Sequence, residues 1–176
     1  MEFARVLDLV AGFFERSGFH YAIIGAFAMH AYGLSRGTFD LDFVTQAEAQ
    51  AELVAFLESL GYETLHRSPG YSNHLHPMAT LGRVDVVYVA GETSARLFEA
   101  CRTMSTGAGR TVPVPRPEHV AAMKVQAMKN DPTRTLRDLD DVRYLLQLPG
   151  VDANAIRAYF QRAGLLERYD DLRRLG

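Results

Sequence analysis

The sequence predicts an α/β core followed by a helical C-terminal segment, and two patterns carry that prediction. Over the first 115 residues, segments with helical spacing of apolar residues alternate with short β-prone runs, as in folds that layer helices on a sheet. From Pro117 onward only helical patterns follow. We therefore expect a core over residues 1–115 and a helical segment over 116–176 that packs on it as one compact unit, and 176 residues are enough to build both.

Apolar spacing, turn residues and caps place each element of the core. Phe3 opens a run of apolar residues at helical spacing that Gly18 ends, and Thr45 with Glu48 has the spacing of a capping box ahead of another helix. Pro77 cannot donate to a β-ladder, so its segment is predicted as a broken edge strand. The predicted order is helix 3–17, strand 20–24, helix 26–32, strand 39–44, helix 47–61, strand 62–67, loop 68–73, edge strand 74–81, strand 82–91, helix 93–103, loop 105–110 and edge strand 111–115.

The C-terminal segment is predicted as a series of helices. The first runs over 117–130, Asp131 caps the second ahead of a proline, and two short helices follow from Asp152. Spacing of i, i+4 predicts two ion pairs that stabilise the second helix, Arg134–Asp138 and Arg137–Asp141. The alternative is that the two aspartates orient a basic residue in a cleft.

Composition narrows the class of protein. Hydrophobic residues make up 48% and charged residues 23% of the chain, which is ordinary for a globular protein, and no run approaches the roughly 20 apolar residues of a membrane span. A net charge of -2 argues against strong binding to duplex DNA. The single cysteine, Cys101, is interpreted as a structural thiol, and a reducing, cytoplasmic location is expected because the N-terminal segment is unlike a signal peptide.

Two aspartates stand two positions apart in the β-prone run RGTFDLDFVT, residues 36–45. A strand alternates faces, so Thr38, Asp40 and Asp42 share one side, with the two carboxylates roughly 7 Å apart. Phe39, Leu41 and Phe43 share the other side and are predicted to be core. Burial of unpaired charge costs several kcal/mol, so these acids need a cation, hydrogen-bond donors or water.

A third acid, Asp85, lies in the apolar strand RVDVVYV. If the two strands are neighbours, Asp40, Asp42 and Asp85 converge on one patch, and an oxygen-only site of this kind suits Mg²⁺. Two such ions can clamp the attacking and leaving oxygens of a phosphoryl displacement. The alternative is that the acids lie on edge strands and face solvent.

The segment before the paired acids has the character of a phosphate-binding turn. Gly25 and Ala26 follow a short strand and open a helix of small residues, so the backbone there can approach a triphosphate closely. Strand–glycine–helix turns are common, so this pattern indicates phosphate binding only in combination with the nearby acids. His66, His74 and His76 are interpreted as residues of a wet edge strand or loop, and His30 as a packing residue.

Together these residues resemble the nucleotidyltransferase superfamily whose catalytic domain is shared with DNA polymerase β. The resemblance rests on the segment AIIGAFAMHAYGLSRGTFDLDFV and on Asp85 on a later strand. The segment contains an R-x-T-x-D-h-D run, where h is an apolar residue, formed by Arg36, Thr38, Asp40 and Asp42. Within the superfamily the chain is similar to AbiEii-type toxins and small stand-alone nucleotidyltransferases, which follow the core with a helical segment like 117–146. The resemblance spans most of residues 20–146 and implies a mixed sheet flanked by helices.

The resemblance also implies roles for individual residues. Asp40, Asp42 and Asp85 would be the catalytic acids and the ligands of two Mg²⁺ ions, for which Mn²⁺ can substitute, with Asp85 helping to activate the acceptor hydroxyl. The implied nucleotide-binding residues are Gly25, Ala26, Arg36, Thr38 and Lys124. Ala26 stands where the family usually has Gly or Ser.

The expected reaction moves a nucleoside monophosphate from an NTP, ATP among them, to an acceptor hydroxyl and releases pyrophosphate. A tRNA end, a tyrosine or serine of a partner protein, and a small hydroxylated compound all remain open as acceptors, and a toxin–antitoxin role is implied. Two rival interpretations stand beside this one: a catalytically inactive binding module of the same fold, and a metal-dependent phosphohydrolase.

Overall fold

The structure, a computed structural model, describes residues 1–105 and 110–174. The chain divides into two compact units, Met1–Pro115 and Arg116–Gly176. Within the described residues, no helix combines the length and apolar character that crossing a membrane would require. Most of the predicted loop over 105–110 lies outside the described residues.

The first unit is built on a mixed five-stranded sheet with the order β1-β2-β5-β4-β3. β2 and β5 run parallel to each other, and the other neighbouring strands are antiparallel. A two-stranded sheet, β6-β7, completes the unit. The elements in chain order are α1 (Phe3–Ser17), β1 (Tyr21–Ile23), α2 (Gly25–Ala31), β2 (Asp40–Gln46), a 3₁₀ turn (Ala47–Ala49), α3 (Gln50–Ser59), β3 (Glu63–Ser68), β4 (Tyr71–Leu75), β5 (Arg83–Val89), α4 (Gly91–Glu99), β6 (Arg102–Ser105) and β7 (Thr111–Val114).

One face of the main sheet forms the core of this unit. Leu41 and Phe43 of β2 are fully buried, and so are Val84 and Val86 of β5. The ring of Phe14 on α1 lies 6.2 Å from that of Phe43, so the amphipathic face of α1 covers the sheet here. The opposite face carries the acids of β2 and β5, and their side chains are only partly buried.

The second unit is helical, as the sequence predicts. Its elements are α5 (Pro117–Asn130), a 3₁₀ turn (Pro132–Arg134), α6 (Thr135–Leu146), α7 (Ala153–Ala163) and α8 (Leu166–Arg174). Asp131 accepts a hydrogen bond from the backbone N–H of Thr133 at 3.0 Å, and Asp152 caps α7 in the same way through the N–H of Asn154 at 2.9 Å. Both caps satisfy backbone donors that the start of a helix leaves without partners.

The prediction for residues 68–81 is wrong in two respects. Tyr71 lies in a strand rather than in a loop, and β4 is an internal strand between β3 and β5 rather than an edge strand. Pro77 lies beyond the end of β4, in the turn that leads to β5, so it never meets the ladder. The tight turn between β3 and β4 needs only residues 69–70.

Three further local predictions fail for physical reasons. The hydroxyl of Thr45 donates to the backbone oxygen of His20 at 2.7 Å, so this buried residue ties β2 to the start of β1 and caps no helix. Phe39 precedes β2 and is 93% exposed, because the alternation of strand faces begins only at Asp40. Residues 102–105 form β6 instead of extending α4.

Cys101 connects α4 to β6, and its environment agrees with a structural thiol. The thiol donates to the backbone oxygen of Leu97 at 3.3 Å, and burial raises its pKa to about 11. The thiolate form is therefore scarce at neutral pH.

Candidate active site

The parallel pair β2–β5 brings the three predicted acids together. Asp42 pairs directly with Asp85 across the ladder, and Asp40 precedes Asp42 by two residues on the same face. Taking one carboxylate oxygen from each residue, the three atoms all lie within 4.8 Å of one another. Within residues 1–105 and 110–174 it is the one group of three or more such side chains close enough to share a metal ion.

Such close carboxylates favour a divalent cation. At 4.8 Å and an effective dielectric constant of about 20, each pair of ionised acids repels by roughly 3 kcal/mol. Carboxylate oxygens without sulfur or imidazole are the ligand set that hard cations such as Mg²⁺ prefer. The donor atoms and their spacing therefore fit a magnesium site.

Gly25 has no side chain, and this leaves room for the carboxylate of Asp42 beside the start of α2. Its φ is +62°, and a Cβ built at this position would lie 1.9 Å from Oδ2 of Asp42. The backbone N–H of Ile24 donates to the carbonyl oxygen of Asp42 at 2.9 Å, which holds the start of α2 against β2. Only glycine allows the backbone to approach the carboxylate this closely. The side chain of Ala26, in contrast, is buried on the core side.

The segment before β2 is fixed by a histidine and a threonine. His30 on α2 contacts the backbone of Arg36 on both sides, with Nε2 at 3.0 Å from the amide nitrogen and 2.7 Å from the carbonyl oxygen. The hydroxyl of Thr38 donates to the carboxylate of Asp40. His30, which the sequence suggested was only a packing residue, therefore positions the loop that leads into the paired acids.

Asp85 has protein partners that the sequence did not reveal. Nε of Arg83 donates to Oδ1 of Asp85 at 2.9 Å, and the phenol of Tyr71 interacts electrostatically with both Asp85 and Arg83. Burial raises the pKa of Asp85, and the hydrogen bond from Arg83 opposes that rise. Arg83 is two residues before Asp85, so strand alternation placed it on the same face, but the sequence could not show that Tyr71 lies on a neighbouring strand.

Asn73 completes the row of side chains that begins at Asp42. It lies opposite Asp85 on β4, so the row runs Asp42, Asp85, Asn73 across three strands. Its carboxamide oxygen is buried and makes no hydrogen bond with the described residues. A buried acceptor without a donor is rare in folded proteins and marks a position that needs explanation.

Lys124 lies on α5 in the helical unit, and its ammonium is buried. It forms ion pairs with Oδ1 of Asp138 at 3.0 Å and with Oδ2 of Asp141 at 2.7 Å. Asp138 also pairs with Arg134 at 3.2 Å, as its spacing predicts. The two aspartates of α6 therefore share a buried lysine of α5, in addition to the pair within the helix between Asp138 and Arg134.

The histidines near β4 lie in different environments. His74 is fully buried on the core face, where its ring nitrogens contact the hydroxyls of Ser72 at 2.8 Å and Thr64 at 3.1 Å. This location contradicts the expectation of a wet edge strand for His74. His66 is exposed, and its ring lies 6.1 Å from that of Tyr71.

Solved structures with the same fold are nucleotidyltransferases. The antibiotic-resistance factor ANT(2'')-Ia, in a solution structure, superposes with a TM-score of 0.68 at 17% identity, covering 99% of this chain and 97% of that one. A putative nucleotidyltransferase from Thermotoga maritima gives 0.56 at 16% identity, covering 77% and 91% of the two chains. The lincosamide antibiotic adenylyltransferase LnuA, with lincomycin bound, gives 0.54 at 15% identity, covering 81% and 96%. The polymerase-β-like fold expected from the sequence is therefore confirmed.

No curated protein matches the chain. A family model does match residues 81–175, a little over half of the chain, and its description is "Nucleotidyl transferase AbiEii toxin, Type IV TA system". The matched part includes Asp85 and Lys124 but begins after the Asp40–Asp42 pair. With the acid cluster, the fold and this match, the chain belongs to the AbiEii family of nucleotidyltransferases.

Proposed function

We propose that the protein is a Mg²⁺-dependent enzyme that transfers a nucleoside monophosphate from an NTP to an acceptor hydroxyl, with release of pyrophosphate. The observation that carries the proposal is the cluster of Asp40, Asp42 and Asp85, in which one oxygen from each carboxylate lies within 4.8 Å of the other two. Bound Mg²⁺ would supply charge neutralisation for the triphosphate and for the departing pyrophosphate.

The chain's own residues then have distinct tasks. Asp40 and Asp42 would hold the metal on the nucleotide side, with Thr38 fixing the orientation of Asp40. Asp85 would ligate the metal and favour loss of the acceptor proton. Gly25 would let the backbone lie close to the phosphates. Arg36 and Lys124 are assigned to the phosphates by the resemblance alone, and that assignment stays a prediction.

Labelled nucleotides test the reaction. The purified protein is incubated with Mg²⁺ and each NTP in turn, labelled at the α- or the γ-phosphate, with cellular RNA and protein lysate as acceptors. We expect α-label on a macromolecule for the wild type and none for Asp40→Asn, with far-UV circular dichroism showing that the variant is folded. Asp8→Asn, at an exposed acid of α1, is the matched control and should keep full activity.

The other outcomes have clear meanings. Transfer of γ-label would indicate a kinase, and hydrolysis without transfer would indicate a phosphohydrolase. Absence of both transfer and Mg·NTP binding would favour an inactive binding module. The fraction that carries the α-label separates an RNA acceptor from a protein acceptor.

We also propose that the protein acts as the toxin of a toxin–antitoxin pair, which the family description supports. Induced expression of the wild type without a partner should arrest bacterial growth, whereas Asp42→Asn should not. Growth that continues unchanged with an active wild-type enzyme would contradict the toxin role and leave the chemistry intact.

A further inference from the structure

Asp85 already has a cationic partner within the protein. The guanidinium of Arg83 holds its carboxylate at 2.9 Å, with side-chain exposures of 40% for Arg83 and 12% for Asp85. The phenol of Tyr71, two residues from Asn73 along β4, interacts electrostatically with the same arginine. One of the three acids is therefore neutralised by a neighbour, while a metal would require the same carboxylate.

Asn73 offers a second acceptor close to this arginine. Asp85 and Asn73 are direct partners across the β4–β5 ladder. On this face Arg83 lies one pair before the Asp85–Asn73 pair and Tyr71 lies one pair after it, and the two side chains interact, so they meet beside the Asp85–Asn73 pair. The buried carboxamide oxygen of Asn73 has no donor from the described residues. A guanidinium has five N–H donors, so it can exchange one acceptor for another while it keeps its interaction with Tyr71.

We propose that Arg83 is a positioning residue that neutralises Asp85 in the metal-free protein and transfers its hydrogen bond to the carboxamide oxygen of Asn73 when a divalent cation takes Asp85. The inference rests on the proposed function, because it assumes that the acid cluster binds metal. It assigns a purpose to the buried oxygen of Asn73, which serves as the alternative acceptor for the displaced arginine. A displaced guanidinium without such an acceptor would lose a hydrogen bond in a partly buried position, which is unfavourable.

The exchange makes a specific prediction for metal affinity. Removal of the arginine frees Asp85, so Arg83→Gln should bind the cation more tightly. Removal of the alternative acceptor with Asn73→Leu, which is close in size, should weaken binding, because the arginine then leaves Asp85 at a greater cost. In the double variant the effect of Asn73→Leu should vanish, because no arginine remains to be accommodated.

The experiment measures Mn²⁺ binding by isothermal titration calorimetry without nucleotide. Expected dissociation constants, relative to wild type, are about tenfold lower for Arg83→Gln and about fivefold higher for Asn73→Leu. The double variant should match Arg83→Gln within about twofold. Arg67→Gln, at an exposed arginine of β3, is the control and should bind as the wild type does.

A second measurement uses only the folded wild type and one assignment variant. The Nε–H cross-peak of Arg83, identified by its absence in Arg83→Gln, should shift when diamagnetic Mg²⁺ is added. An unmoved Arg83 cross-peak at saturating Mg²⁺ would overturn the inference. So would an equal weakening by Asn73→Leu with and without Arg83, or a weaker affinity in Arg83→Gln.

The two proposals fail in different ways. If wild type binds Mn²⁺ and Asp40→Asn abolishes that binding, the metal site stands, and the double-variant cycle decides the inference alone. If wild type binds no Mn²⁺ without nucleotide, the inference fails, and the transfer assay with Mg²⁺ and labelled NTP still decides the proposed function separately.

Discussion

Gly25 links the backbone conformation at the start of α2 to the geometry of the acid cluster. With φ at +62° and a virtual Cβ 1.9 Å from Asp42, any side chain here must displace the carboxylate or the helix. Positive φ alone costs a non-glycine residue about 1 kcal/mol or more. A side chain at position 25 would also collide with Asp42, so we expect it to disturb the acid cluster as well as the backbone.

We therefore predict that Gly25→Ala abolishes Mn²⁺ binding and lowers the free energy of unfolding by about 1–3 kcal/mol. The measurements are calorimetric titration and urea denaturation. The control is Gly18→Ala at the end of α1, where φ is +74° but no atom lies within 4 Å of the virtual Cβ. It should lose stability and keep metal affinity. Wild-type affinity in Gly25→Ala would show that the close approach to Asp42 is unimportant.

Single residues also show where sequence patterns reach their limit. Alternation along β2 correctly placed Asp40 and Asp42 on one face and buried Leu41 and Phe43 on the other. It failed for Phe39 because a pattern of period two does not reveal where the strand begins. Asn73 and Tyr71 were missed as neighbours of Asp85 because strand order is a tertiary property.

Among the elements, β4 shows how a polar strand becomes internal. Its core face carries Ser72 and His74, which bond to each other at 2.8 Å, and Ser72 also contacts the hydroxyl of Tyr88 on β5 at 2.7 Å. This chain of hydrogen bonds satisfies buried polar groups that would otherwise destabilise the sheet. The segment HLHPMATL suggests an edge strand because Pro77 cannot donate to a β-ladder, but Pro77 lies beyond the end of β4.

The buried ring of His74 predicts a pH-dependent stability. Burial lowers its pKa below the ordinary value of 6.5, so the unfolded chain takes up a proton at pH values where the folded protein stays neutral. Its contribution to stability is thus intact above about pH 6.5 and falls as the pH drops below that value. In urea denaturation, the stability advantage of wild type over His74→Gln should shrink between pH 7.5 and pH 5.5. His119, which burial shifts in the same direction, is present in both proteins and cancels. A constant difference would contradict the prediction.

The pairing of α5 with α6 depends on the buried charges of Lys124, Asp138 and Asp141. Lys124→Met should lower the free energy of unfolding by about 3–5 kcal/mol, because it leaves buried carboxylates without their shared cation. Lys129→Met, at an exposed position of the last turn of α5, is the matched control and should have little effect. The triple variant that adds Asp138→Asn and Asp141→Asn should recover part of the loss. Equal effects of Lys124→Met and Lys129→Met would show that the buried pairs add no stability.

For the whole molecule, the segment that matches the family model and the paired aspartates lie in different parts of the chain. The family model matches residues 81–175, whereas the paired aspartates that first suggested the reaction lie at 40 and 42. Fold neighbours cover 77% to 99% of the chain at 17% identity or less, so geometry is retained where residue identity is not. The strand order β1-β2-β5-β4-β3 brings these two parts of the chain together, because it places Asp85 beside Asp42.

Ligand binding to the folded protein should raise its thermal stability. A ligand at 100 times its dissociation constant stabilises the native state by about 2.7 kcal/mol. We predict that Mg²⁺ with a non-hydrolysable ATP analogue raises the Tm of wild type and leaves that of Asp40→Asn unchanged. Chelation by EDTA should not unfold the protein, because the apolar core lies on the other face of the sheet from the acids. Unfolding in EDTA would instead identify a structural metal.

The rate at which a reagent modifies the sole cysteine measures local opening of the structure. Since the thiol of Cys101 is mostly protonated and half-buried, a maleimide reagent should modify it only when the junction between α4 and β6 opens. The rate of modification then reports how often that junction opens, without any engineered probe. Because no second thiol competes for the reagent, a cysteine introduced at any exposed position can be labelled selectively while Cys101 stays unmodified.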